Sequence, residues 1–171
     1  MKISLSVKFG IVAGLINCAA WYMIAQSFNF YSFKVEHYRY YTTLVLLLIG
    51  IPLSIYFERK KNNGFIEFRD ALKAGVLYSL LLSILIAIFN YIYYKFLVPD
   101  AIDFFVSEAK KSMALAEVKV KEEDIPKNVE LVISYFSSFR VLMSTFMIGL
   151  LMSLGASAIF RKKNPQAFQE N

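Results

Sequence analysis

Charged residues are absent from four long runs of this chain. Phe9 to Phe33, Tyr40 to Phe57, Ala74 to Tyr94 and Val141 to Phe160 contain no Asp, Glu, Lys, Arg or His. Each run is close to the roughly 20 apolar residues that an α-helix needs to cross a hydrocarbon core about 30 Å thick. The pattern predicts an all-α integral membrane protein built as a bundle of four transmembrane helices. The spans are expected at about 8–30, 41–57, 68–96 and 140–160, in a single membrane domain covering 1–171. Lys2 and Lys8 resemble the basic start of a cleavable signal, and Leu15-Ile16-Asn17-Cys18 faintly echoes a lipoprotein cleavage site. Asn17 fits poorly before the cysteine, and the apolar run continues through Ile24, so the first run is expected to be a retained helix.

The segment between the third and fourth runs has its own periodicity. Asp100 can cap a helix, with Asp103 in its first turn. Ile102, Phe105, Val106, Ala109, Met113 and Ala116 then fall on one face. Asp124 and Pro126 give a second start signal, after which Val129, Val132, Ile133 and Phe136 lead toward the fourth span. These positions predict an extracytoplasmic helical hairpin over about 100–139. Its first helix is expected from Asp100 to Glu117. Its second is expected to run unbroken from Pro126 to Phe160, about 52 Å at 1.5 Å per residue.

Charge sets the expected orientation. With four spans both termini share a side, and that side carries ten basic residues against four acidic ones. The other side carries nine of each, most of them in the long third loop, which counts little in the positive-inside rule. The termini, the second loop and the tail over 161–171 are therefore expected in the cytoplasm. Tyr38, Tyr40, Tyr41, Tyr91, Tyr93, Tyr94 and Phe96 gather at the opposite ends of the spans, as an interfacial aromatic belt would.

Composition narrows the function classes. Hydrophobic residues make up 57 % of the chain, above the roughly 45–50 % usual for soluble domains. The net charge of +6 sits beside the apolar runs rather than in a separate basic domain, which argues against nucleic-acid binding. The one cysteine, Cys18, excludes an internal disulfide and a Cys-rich metal site. No ionisable residue lies at mid-span, where proton relays and most ion-coupled carriers place one. His37 stands alone in the expected first outer loop, and no Ser-His-Asp set can be assembled within the spans. Glu122-Glu123-Asp124 reads as a solvated, helix-initiating run. No catalytic, cofactor or metal motif stands out, and no cofactor is expected.

The strongest local pattern is a ladder of small residues. Ala71, Gly75, Ser79, Ser83 and Ala87 recur every four positions in the third span, and Thr145, Gly149, Ser153 and Ser157 do so in the fourth. Gly10 and Gly14 open the first span, with Asn17 on nearly the same face. Small side chains let helix backbones approach closely in lipid, where the hydrophobic effect does not drive association. Gly10, Gly14, Ala71, Gly75, Ser79, Ser83, Gly149 and Ser153 are thus candidate packing positions, within the bundle or toward a partner. Asn17 and Asn90 are candidate intramembrane polar contacts, either interhelical glue or a substrate or ion contact. Pro52 is expected to bend the second span. The openings Lys8-Phe9-Gly10-Ile11 and Lys73-Ala74-Gly75-Val76 hint at a duplication but are too short to establish one.

Several stretches together resemble a known family. They are Lys8-Phe9-Gly10 with Gly14, the segment Gly64-Phe65-Ile66-Glu67-Phe68-Arg69-Asp70-Ala71-Leu72-Lys73-Ala74-Gly75, then Tyr91-Ile92-Tyr93, Pro99 and the closing Phe160-Arg161-Lys162-Lys163-Asn164-Pro165. The chain is similar, from about Lys8 to Pro165, to the bacterial four-span membrane family described as domain of unknown function 4199. The resemblance implies a multi-pass protein of the bacterial cytoplasmic (inner) membrane and implies no activity. The expected function is that of a non-enzymatic accessory or assembly subunit, with the lipid bilayer and a membrane-protein partner or a second copy as its contacts. A small-solute carrier or pore working as a homo-oligomer remains the alternative.

Overall fold

The computed structural model describes residues 4–28, 33–115 and 125–162. Lys2, Ala116, Glu117, the Glu122-Glu123-Asp124 run and the tail from 163 onward lie outside the described residues. Among the described residues six helices follow in order: α1 Leu5–Phe28, α2 Phe33–Lys61, α3 Phe68–Ile92, α4 Ala101–Leu115, α5 Ile125–Tyr135 and α6 Ser138–Phe160. A π-helical turn over Tyr93–Leu97 closes α3 and ends where the Val98 N–H reaches the Tyr93 carbonyl at 2.9 Å. Helices α1, α2, α3 with its π-turn, and α6 are each long and apolar enough to cross a membrane. In α1, α2 and α6 only 28 % of the most apolar stretch is buried, so most of their hydrophobic surface faces outward. An apolar helix with an apolar exterior fits a lipid surround better than water.

Helix α3 is the central element and packs against α1, α2 and α6. Its pairing with α6 is antiparallel. Asn90 meets Ser138, Ser79 meets Gly149, Gly75 meets Ser153, and past the helix ends Ile66 bridges Lys162. As one number falls the other rises by the same amount, so the four-residue spacing keeps both ladders facing each other along the whole contact. The bundle core around this seam includes Leu47, Ile51, Ile55, Ala74, Tyr78, Leu82 and Ile86. The α2–α3 turn passes through Asn63 and Gly64 at positive φ, 53° and 85°. Arg59 Nε closes that turn on the Gly64 carbonyl at 2.9 Å.

Helices α4 and α5 pack on each other at the end of the bundle opposite this turn. A second core forms there from Trp21, Ala25, Val35, Tyr93, Tyr94, Val98, Ala101, Phe105 and Phe136. Phe105 stacks on Phe136 with ring centres 5.0 Å apart, and Phe136 meets the edge of Tyr94 at 5.1 Å.

Three expectations need correction. The helix expected to run unbroken from Pro126 to Phe160 is interrupted at Phe136–Ser137. Phe136 turns inward to the aromatic core, and the Phe136 and Ser137 N–H groups bond carbonyls three residues back, at Ile133 and Ser134. Ser137 then adopts an extended conformation (φ −63°, ψ 125°) before α6 begins. Ile133, expected on the buried face of the second outer helix, is 48 % exposed. The second span is preceded by helix rather than loop: α2 starts at Phe33 and carries Glu36, His37 and Arg39.

Candidate functional site

Asn17 and Asn90 are both fully buried, and both lead into one polar cluster at the α4–α5 end. Asn90 Nδ2 donates to the Phe136 carbonyl at 2.9 Å and to the Ser138 hydroxyl at 3.0 Å. It thereby ties both sides of the α5–α6 break to α3. Its Oδ1 accepts from Arg39 Nη1 at 3.4 Å. Arg39 Nη2 lies 2.7 Å from Glu36 Oε2, three residues earlier on α2. Tyr94 donates its hydroxyl to the other oxygen of Glu36. The Arg39 guanidinium also stands 4.8 Å from the centre of the Trp21 ring, which packs on Phe89 and Tyr93.

Glu36 is 3 % exposed and Arg39 8 %. Charges this deep persist only when each finds a counter-charge and further hydrogen bonds. Here both conditions hold, and the indole face adds a cation–π contact. Further along, the Arg39 carbonyl accepts from Thr43 Oγ1 at 2.9 Å, and Thr43 Oγ1 in turn accepts from Asn17 Nδ2 at 3.0 Å. The cluster thus reaches α1, α2, α3 and the start of α6. Asn17 Oδ1, Trp21 Nε1 and Arg39 Nε are buried in it without a hydrogen-bond partner.

Sequence reasoning finds Asn17 and Asn90 but misses Glu36 and Arg39, placing them among the balanced charges outside the spans. The available signal is their three-residue spacing directly before a charge-free run. Two polar residues one turn apart can join a helix that simply begins earlier than its apolar part.

Beside the cluster, α2 and α6 run in the same direction and flank a groove of about 230 Å³. Arg39, Tyr40 and Arg140 line its upper end, Thr43, Ser144 and Thr145 come one turn further in, and Leu47 and Ile148 line it a turn beyond. Arg140 Nη1 donates to Ser134 Oγ at 2.7 Å.

The remaining candidate positions lie in the helix contacts. A Cβ added at Gly10 would stand 2.8 Å from the Tyr78 carbonyl oxygen, and at Gly14 2.5 Å from Leu85 Cδ1. At Gly75 it would lie 2.6 Å from Ser153 Oγ, and at Gly149 2.4 Å from Ser79 Cβ. Ala71 and Ser83 are fully buried. Gly155, off the ladder, has nothing within 4 Å of that position. Pro52 lies inside α2, which continues past it to Lys61. Among the described residues, no group of three or more His, Cys, Asp and Glu is placed to hold a metal ion. Glu36, the most enclosed carboxylate of the cluster, is held by Arg39 and Tyr94, an arrangement suited to joining helices.

The family model described as Protein of unknown function (DUF4199) matches residues 8–162. The chain belongs to that family. No curated protein and no solved structure matches it.

Proposed function

We propose that this chain is a four-span protein of a bacterial cytoplasmic membrane that acts without catalysis, as an accessory or assembly subunit. Both termini would lie in the cytoplasm, on the side with ten basic and four acidic residues. The α4–α5 pair would then stand on the extracytoplasmic side. One observation carries the reading: the buried joint of Glu36, Arg39, Asn90 and Phe136 fixes the α4–α5 pair to the bundle. That joint holds outward a surface with apolar positions, Leu131 at 59 % and Ile133 at 48 % exposure. The small-residue faces support the same reading, since they hold the bundle together and leave α4–α5 free for a partner. A carrier would need a polar cavity around Asn17 or Asn90, whereas the α2–α6 groove is lined by neither.

The test is purification from native membranes in mild detergent, in parallel with the double variant Leu131→Glu/Ile133→Glu. The expected result is a different membrane chain at fixed stoichiometry with the wild type and its loss with the variant. Recovery of the chain alone, or only as a homo-oligomer, would refute an accessory role.

A further inference from the structure

A second groove lies between α3 and α6, at the end of the bundle that carries α4 and α5. Ile84, Ile88 and Tyr91 of α3 line it opposite Phe139 and Leu142 of α6, around a volume of about 310 Å³. Ser138 also lines it, but its hydroxyl already accepts from Asn90 at 3.0 Å. One turn beyond Tyr91 stands Lys95, in the π-helical close of α3. Lys95 Nζ donates to the Tyr91 hydroxyl at 2.5 Å, and it lies 4.9 Å from the centre of the Tyr91 ring and 5.6 Å from that of Phe96. These contacts hold the ammonium in place but supply no counter-charge. The ion pairs among the described residues are Arg39–Glu36, Lys61–Glu58 and Lys111–Glu108, and Lys95 is in none of them. An ammonium has three N–H donors, and a phenol that accepts through its oxygen keeps its own O–H. Two N–H groups of Lys95 and the O–H of Tyr91 are therefore left together at the mouth of the groove, on two exposed side chains. Lys95 directly follows the charge-free run that ends at Tyr94, so in a four-span protein it marks the headgroup level.

We propose that this groove binds one anionic phospholipid of the extracytoplasmic leaflet, its phosphate on Lys95 and the Tyr91 O–H and part of an acyl chain between α3 and α6. A monoanionic phosphodiester brings one negative charge to the one ammonium, whereas a zwitterionic headgroup would bring its own cation as well. The shape agrees with the chemistry. Tyr91 and Ile84 are seven residues apart, about 10 Å along the helix, so the apolar walls run inward from the headgroup level as an acyl chain does. A volume of 310 Å³ is at the low end for pockets that enclose a ligand, about 300–1,000 Å³. It holds a stretch of one chain and leaves the rest of the lipid in the bilayer. A second copy of this chain fits less well. In a twofold contact the same patch faces itself, which would set the Lys95 ammonium of each copy toward that of the other. The proposal rests on the membrane reading above.

Native mass spectrometry of the delipidated full chain tests it, with phosphatidylglycerol and phosphatidylcholine of identical acyl chains as probes. One equivalent of phosphatidylglycerol should bind about fivefold tighter than phosphatidylcholine, the factor expected of one basic side chain at an anionic lipid surface. Lys95→Gln should abolish that preference. Ile88→Trp, at an exposed lining position, should block saturable binding, while Met147→Trp, exposed but outside the groove, should not. Equal affinity for the two lipids, an unchanged preference in Lys95→Gln, or saturable binding retained in Ile88→Trp would overturn the proposal. A dimer that Ile88→Trp dissociates would also overturn it, by assigning the groove to a second copy. Membrane residence is judged separately by an alkaline carbonate wash, where release of the chain would refute the membrane reading itself.

Discussion

Removing one member of the Glu36–Arg39 pair should be among the most damaging single changes in this protein. Arg39→Met leaves the Glu36 carboxylate at 3 % exposure with only Tyr94 to stabilise it. Glu36→Leu leaves the Arg39 guanidinium at 8 % exposure with Asn90 and the indole of Trp21. Breaking a buried pair in this way costs about 3–5 kcal/mol, because the survivor is an uncompensated charge. The double variant Glu36→Leu/Arg39→Met removes both charges together. What it strands is neutral: the Tyr94 hydroxyl and Asn90 Oδ1, at about 1–3 kcal/mol each at most. The double variant should therefore be less destabilised than the two singles added, by a coupling in the range of about 0.5–3 kcal/mol seen for contacting groups. Trp21, the only tryptophan, sits against Arg39, so its fluorescence reports on this site directly. Equilibrium unfolding in mixed micelles, followed by that signal, gives all four stabilities. Additivity within about 0.5 kcal/mol would show that the two charges act independently and that the joint is not an ion pair in solution.

The helix seam predicts a contrast between two glycines of α6. Gly149→Ala should lower stability by about 1–3 kcal/mol through overpacking, because its Cβ would fall 2.4 Å from Ser79 Cβ. Gly155→Ala, in open space, should not lower it, and equal thermal midpoints for the two variants would contradict the seam. The proposed orientation predicts that a cysteine at Asn62 stays shielded from an impermeant thiol reagent in intact cells, while labelling from outside would refute it. The aromatic anchor predicts that Phe136→Ala, which removes the ring stacked on Phe105, speeds hydrogen exchange in α4 and α5 far more than in α3. Uniform protection in wild type and variant would show that the α4–α5 pair does not depend on that anchor.

The parts of this fold that could be read from sequence are those set within one helix. A charge-free run is a local property, and each of the four lies largely within one long apolar helix. The strips of small residues on α3 and α6 are a local property too. Both repeat every four positions, and they lie beside each other in antiparallel register, Gly75 by Ser153 and Ser79 by Gly149. The break at Phe136–Ser137 left no such mark. The apolar periodicity passes through it, and what stabilises it is an amide on Asn90, 46 residues away. Glu36 and Arg39 were hidden by the same kind of distance. A charge beside an apolar run is solvated or buried according to what packs over it, and here that is Trp21 from α1 and Tyr94 from the end of α3.

Arg39 belongs to two structures at once. Through Glu36 and Asn90 it helps hold the α5–α6 break, and hence the α4–α5 pair, against the bundle. It also lines the α2–α6 groove. A change at Arg39 therefore alters the joint and the groove wall together, whereas a change at Glu36 alters the joint and leaves the groove lining in place, so comparing the two separates what each structure contributes.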